Sequence, residues 1–142
     1  MIRFGDERLP KRFWRQVFPM EDGCWIYVGA RTKKGYGNYS IKHVDYRAHR
    51  VAYEHLVGPI LEETLDHLCR NRACVNPGHL EPCSVKENTM RGRGAPAVNS
   101  RKTACPRGHP LSGENLRFSR RGDGRLFRQC VECIRVRQRV GA

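Results

Sequence analysis

The residue types with the most chemical potential in this 142-residue chain fall in one short stretch: Asp66-His67-Leu68-Cys69, then Cys74, then Asn76-Pro77-Gly78-His79-Leu80, and finally Glu87-Asn88. Hydrolysis of a phosphodiester needs a base to activate water, a cation to steady the charge developing on phosphorus and the leaving oxygen, and ligands to hold that cation. A histidine at the end of a strand can take the water's proton near neutral pH. Asp66 and Asn88 offer the hard oxygens that Mg²⁺ or Mn²⁺ prefers. A second chemistry overlaps the first. Cys69-x4-Cys74-x4-His79 places soft ligands at close spacing in a loop, which suits tetrahedral Zn²⁺ once a fourth ligand joins. A third set, Cys105-x3-His109 followed after twenty residues by Cys130-x2-Cys133, has four soft ligands and no spare acid or base, the pattern of a closed structural zinc whose binding energy folds its module.

Residues 66 to 88 resemble the ββα-metal nucleases, the superfamily of HNH and His-Cys-box endonucleases. The match consists of an Asp-His strand end, a loop ending in a His-Leu pair, and a helix bearing Asn nine residues later. Trp25, Gly35-Tyr36-Gly37, Ala48-His49-Arg50 and Asn76-Pro77 extend the likeness to phage-type HNH homing endonucleases over roughly residues 20 to 92. The resemblance implies a metal-dependent DNA endonuclease with His67 as general base, Asp66 and Asn88 on the catalytic cation, and products bearing 3′-hydroxyl and 5′-phosphate ends. His79 then stands at the middle letter of the motif and Asn88 at the last, while Asn76 shapes an Asn-Pro turn. In His-Cys-box relatives the Cys69, Cys74, His79 triple binds structural zinc. The family's upstream cysteine corresponds to Cys24, just before Trp25; Cys83, four residues past His79, is the rival for the fourth position. The resemblance also implies a phage-encoded protein acting in the host cytoplasm.

Composition points the same way. Twenty-seven Lys and Arg face 14 Asp and Glu, a net charge of +13 and a pI near 10.0, which creates a field that draws polyanions. Double-stranded DNA is the expected partner, bound by a monomer or a homodimer. No stretch reaches the ~20 apolar residues needed to cross a bilayer, and Met1 to Glu7 carry no apolar signal core, so no membrane role is expected. In a reducing compartment the seven cysteines read as metal ligands or free thiols.

Several elements must position these groups. Arg3 to Arg15 interleaves bases with Phe4, Phe13 and Trp14, either as a packed helix or as an arm. Trp25 to Val28 reads as a buried strand, the turn Arg31 to Gly35 follows, and Tyr36 to Lys42 reads as a second strand with a partner continuing through Tyr46. Val51, Ala52, His55 and Leu56 have helical spacing over Ala48 to Val57, with Gly58-Pro59 as the stop. Thr64 to Leu68 is a third strand. Ser84-x-x-Glu87 is a capping box, so a helix begins there with Asn88 in its first turn. Glycines and Pro96 mark a basic linker. Beyond it, Leu116 to Ser119 and Arg125 to Gln129 flank the hairpin turn Arg121-Gly122-Asp123-Gly124, and a basic helix covers Ile134 to Val140.

The chain is thus expected to be α+β: a ββα-metal nuclease domain over 1–92, a linker over 93–103, and a treble-clef-like zinc module over 104–142 that grips DNA, with two structural zinc ions in all. Residues 101–142 hold eleven Lys and Arg against three Asp and Glu. Arg31, Lys33, Lys34, Arg47, Arg50, Arg91, Arg93, Arg117, Arg120, Arg121 and Arg125 are the candidate phosphate contacts. The competing class is a non-catalytic zinc-finger DNA-binding regulator, which would bind without cutting.

Overall fold

A computed structural model describes residues 2–140. Within it the chain divides into two compact units, Met1–Asn88 and Thr89–Ala142, the division falling inside a helix. The protein is a mixed α/β structure whose strands, among the described residues, pair only two at a time.

The first unit opens with a one-turn helix, α1 (Lys11–Trp14), and strand β1 (Val17–Pro19), which pairs antiparallel with β2 (Trp25–Tyr27). The basic N-terminal segment is therefore packed. Phe13 is fully buried, in edge contact with Trp14 and Tyr39, and Trp14 in turn meets Trp25. Strands β3 (Asn38–Ile41) and β4 (Val44–Arg47) form a tight hairpin that runs directly into helix α2 (Ala48–Leu56). Ala48, Val51, Ala52 and Leu56 lie on the buried face of α2, and with Leu9, Phe13, Val17, Tyr27, Tyr39 and Val75 they make the core. The apolar period that marked this helix is its buried stripe.

Strand β5 (Thr64–His67) pairs antiparallel with β6 (Leu80–Cys83), and helix α3 (Val85–Arg91) follows at once. The start of α3 is the expected capping box. Glu87 N–H donates to Ser84 Oγ at 3.3 Å while the Ser84 N–H donates to Glu87 Oε2 at 3.1 Å. Strand β6 escaped the sequence reading because Pro82 lies within it; a proline is tolerated where one edge of a two-stranded ladder needs no donor.

Two further expectations are corrected, the burial of the strand at Trp25 and the linker. Strand Trp25–Tyr27 has partners that the sequence leaves unassigned. It pairs with β1 on one side and, on the other, with the cysteine loop: Tyr27 N–H donates to Ala73 O and Val75 N–H to Trp25 O, both at 2.8 Å. The strand is also not buried throughout, since Val28 is exposed. The stretch 93–103, read as a linker from its glycines and proline, holds helix α4 (Ala95–Arg101). Pro96 stands in the first turn, where its missing N–H costs nothing, and Ala97 is buried.

In the second unit, β7 (Leu116–Arg120) and β8 (Leu126–Cys130) form a hairpin, and α5 (Val131–Val140) continues directly from β8. The hairpin turn and the helix match the sequence pattern.

The burial contrast between two phenylalanines gives a test. Phe13→Ala should lower stability by about 3–5 kcal/mol, the usual cost of emptying an aromatic site in a core. Phe18→Ala, at an exposed position, should change the urea midpoint little.

Candidate functional site

The pairing of β2 with the cysteine loop brings Cys24 to Cys74. Cys24, Cys69, Cys74 and His79 present ligand atoms that all lie within 4.8 Å of one another. His79 Nδ1 is 3.5 Å from Cys24 Sγ and 3.7 Å from Cys74 Sγ. These spacings are close to the edge of a tetrahedron built on Zn–S and Zn–N bonds of about 2.0–2.3 Å, so the donor set fits zinc in both chemistry and size. The loop is clipped shut by Asn76, whose side chain accepts from Gly78 N–H at 3.0 Å and donates to Gly23 O at 2.6 Å. Gly23 itself has φ +80°, and a β-carbon there would sit 3.4 Å from the His79 ring. Burial pushes the Cys24 and Cys74 thiols up, and neighbouring sulfurs add to it for Cys24. Thiols this close together would give up their protons together only with a cation between them. Cys83 does not join the set. It is buried on β6 with its sulfur 3.4 Å from Thr64 Oγ1.

Cys105, His109, Cys130 and Cys133 form a second group of the same kind. His109 Nδ1 lies 3.6 Å from Cys105 Sγ, 3.6 Å from Cys130 Sγ and 3.3 Å from Cys133 Sγ. A turn closed by Cys105 N–H on His109 O supplies the first two ligands; the end of β8 and the first turn of α5 supply the others. Desolvation alone would raise the Cys130 thiol, but the Cys133 backbone and the Asn115 amide, donating at 3.4 Å, hold it down at about 6. Desolvation and the neighbouring thiols push Cys133 up to about 11. Asn115 was missed in the sequence, where only its place in a Gly-Glu-Asn turn could have marked it. Its Oδ1 also caps α5 by accepting from Glu132 N–H at 2.9 Å.

Next to the first cluster, at the end of β5, His67 is buried and its Nε2 lies 3.1 Å from the Cys74 carbonyl. A carbonyl only accepts, so Nε2 carries the proton and Nδ1 keeps the lone pair. The ring is boxed in by His49, with centroids 4.7 Å apart, and by Tyr36 at 5.8 Å. Burial lowers the basicity of His67, while the Cys74 bond and the Asp66 charge pull it back. Burial, then the His67, Arg50 and Arg47 charges, push His49 down to about 3, so it is neutral. Among the described residues, His49 Nδ1 is the one buried side-chain nitrogen or oxygen without a hydrogen bond. The sequence marks His49 and Tyr36 through Ala48-His49-Arg50 and Gly35-Tyr36-Gly37, with His49 read as a packing residue or a phosphate contact and Tyr36 as a sheet residue, and places neither beside His67.

Asp66 is buried too, and its carboxylate takes both oxygens of contact from Arg70 Nη1, at 2.9 and 3.1 Å. Asn88, half-buried, donates from Nδ2 to Thr64 Oγ1 at 3.3 Å. Thr64 and Asp66 are two residues apart on β5, so Asn88, bonded to Thr64, sits on the side of the strand that carries Asp66. Of the candidate phosphate contacts, Arg31 is spent on the Tyr27 carbonyl at 2.7 and 3.1 Å, and Arg47 donates to Asn38 Oδ1 at 3.0 Å. Lys33, Lys34 and Arg93 are exposed; Arg50 and Arg91 are half-buried. Arg117, Arg120, Arg121 and Arg125 are all exposed on the β7–β8 hairpin.

Strand, cysteine-clipped loop, antiparallel strand and following helix thus bring the buried His67 beside the first cluster. A family of HNH endonucleases matches residues 46–90, a span that contains Asp66, His67, Cys69, Cys74, His79 and Asn88. The chain belongs to the HNH endonuclease family. It is 30% identical over 110 residues to protein 2.8 of Escherichia phage T7, covering 76% of this chain and 71% of that protein. It is 38% identical over 82 residues to the uncharacterized gene 5.3 protein of Enterobacteria phage T3, covering 51% of this chain and 79% of that protein. No solved structure matches. Among the described residues no helix is long and apolar enough to cross a membrane.

The two clusters give a count. Purified wild-type protein should carry two zinc ions per chain by elemental analysis; Cys24→Ser should lower this to one, and Cys83→Ser should leave it at two. Loss of zinc in Cys83→Ser with retention in Cys24→Ser would reverse the ligand assignment.

Proposed function

We propose that this protein is a metal-dependent endonuclease that hydrolyses phosphodiester bonds of double-stranded DNA, with His67 as general base. The single observation that carries this reading is the His67 Nε2 bond to the Cys74 carbonyl, which orients the ring and leaves Nδ1 as a proton acceptor. His49 and Tyr36 brace the ring from the sides. In the reaction, Nδ1 takes a proton from water as its oxygen attacks phosphorus, and the bond to the 3′ oxygen breaks; the leaving alkoxide takes a proton from solvent water, giving 3′-hydroxyl and 5′-phosphate ends. Asp66 and Asn88, hard oxygen donors on one face of β5, would hold the divalent cation, Mg²⁺ or Mn²⁺, which would supply charge stabilisation at the phosphate and the leaving oxygen. Arg70 would have to release Asp66 for that.

β5, β6 and α3 make up the ββα core of this reading, with the Cys24, Cys69, Cys74 and His79 zinc as a structural element of it. The second cluster, with its hairpin and α5, is a treble-clef-like module whose exposed arginines follow the DNA backbone. A closed set of four protein ligands leaves no position for substrate, so both zinc ions are structural.

One observation favours a second reading, a DNA-binding protein without activity: the Arg70 guanidinium already occupies the Asp66 carboxylate. Conversion of supercoiled plasmid separates the two. Wild type should nick or linearise it with Mg²⁺ or Mn²⁺ and not with EDTA, and His67→Ala should cut at least about 100-fold more slowly, the usual worth of a general base. DNA binding without cleavage by wild type would establish the second reading, and cleavage undiminished in His67→Ala would remove His67 as the base.

A further inference from the structure

Outside the nuclease site, the turn between β3 and β4 has an unusual composition. Ile41 is paired with Val44, so the turn has only two residues, Lys42 and His43, and their φ values are 48° and 67°. Positive φ at both central residues is the type I′ turn, which Asn-Gly adopts readily and which a bulky side chain disfavours. Here a lysine and a histidine hold it, both exposed. Among the described residues only one other non-glycine, Arg70, has positive φ.

Beside the turn stands Arg12 of α1. Its guanidinium lies over the Tyr39 ring at 5.1 Å and donates to the Ser40 carbonyl, so the cation is fixed rather than trailing in solvent. Arg12, Ser40, Lys42 and His43 line an open cavity of about 370 Å³. A neighbouring cavity of about 380 Å³ shares Arg12 and Lys42 and is floored by Tyr39, Ile41 and Val51. Neither is lined by an acid. Asp45, the nearest carboxylate along the hairpin, accepts from Ser40 Oγ and, at 2.6 Å, from Asn38 Nδ2.

We infer that Arg12, Lys42 and His43 form a contact site for a backbone phosphate of nucleic acid, sharing no residue with the cleavage centre. Two cations and an imidazole around one concave, acid-free surface fit a single anionic oxygen cluster. The strained turn is what brings Lys42 and His43 to the wall that Arg12 already forms; backbone strain of this kind persists where the surroundings or a bound group compensate it. The choice of nucleic acid as the source of the phosphate rests on the nuclease reading.

The test is duplex-DNA binding by the full-length, zinc-loaded protein, followed by fluorescence anisotropy across a range of salt. Lys42→Asn/His43→Gly installs the turn's preferred sequence and should leave the melting temperature unchanged or raise it. The same variant should flatten the plot of log affinity against log salt by about 0.9, the contribution of one neutralised phosphate. Lys42→Gln, with the turn otherwise intact, should flatten it equally. A slope unchanged in both variants would overturn the inference and leave the turn as a hairpin tip only. Plasmid cleavage by wild type, measured alongside, keeps the two claims apart: binding without cutting, with a flattened slope in the variants, would remove the nuclease reading and support this one. Failure of wild type to bind DNA would overturn both.

Discussion

The site depends on Cys74. Its sulfur belongs to the four-ligand cluster, its carbonyl accepts from His67, and the residues on either side of it carry the backbone bonds that stitch the loop to β2. One residue therefore couples metal binding, the pairing of distant segments, and the tautomer of the candidate base. A loop of twelve residues between β5 and β6 would otherwise have many conformations, and its closure would be costly in a chain with so small a core. A metal held by the four cluster residues drawn from 24 to 79 would stand in for the apolar surface that a domain of this size lacks.

The same economy explains why the strands pair only in twos. An isolated hairpin is marginal in water, and each one here is backed by something else. β1 and β2 rest on the Phe13 and Trp14 aromatic cluster, β3 and β4 run into α2, β5 and β6 hold the first cluster between them, and β8 delivers Cys130 to the second. In each unit the cluster residues come from loops and turns as well as from the ends of these short elements, so a metal held there would make folding and ligand assembly one event.

Much of this was legible in the sequence, for local reasons. The α2 period, the Ser84 capping box, the Asn76 turn and the Arg121 to Gly124 hairpin are written in residues within a few positions of one another, where side-chain chemistry alone decides. The ligand types and their spacing were equally visible, because a tetrahedral site leaves little freedom in the loop that bears it. What sequence left open was set across long separations. Whether Cys24 or Cys83 stands beside His79 depends on β2 pairing with residues 73–75, and no local signal encodes that. Pro82 concealed β6, and the glycines around Pro96 concealed α4, since both residue types normally end regular structure and are tolerated here by an edge and by a first turn. The His49 and Tyr36 box around His67 was invisible because it joins three segments more than ten residues apart.

If the coupling through Cys74 holds the base, the proton position on His67 should report it directly. A long-range ¹⁵N spectrum of the imidazoles in the full-length protein at neutral pH should show His67 neutral, with the proton on Nε2 and a bare Nδ1. A proton on Nδ1 instead would mean that the Cys74 carbonyl does not orient the ring, and would contradict the account at its centre.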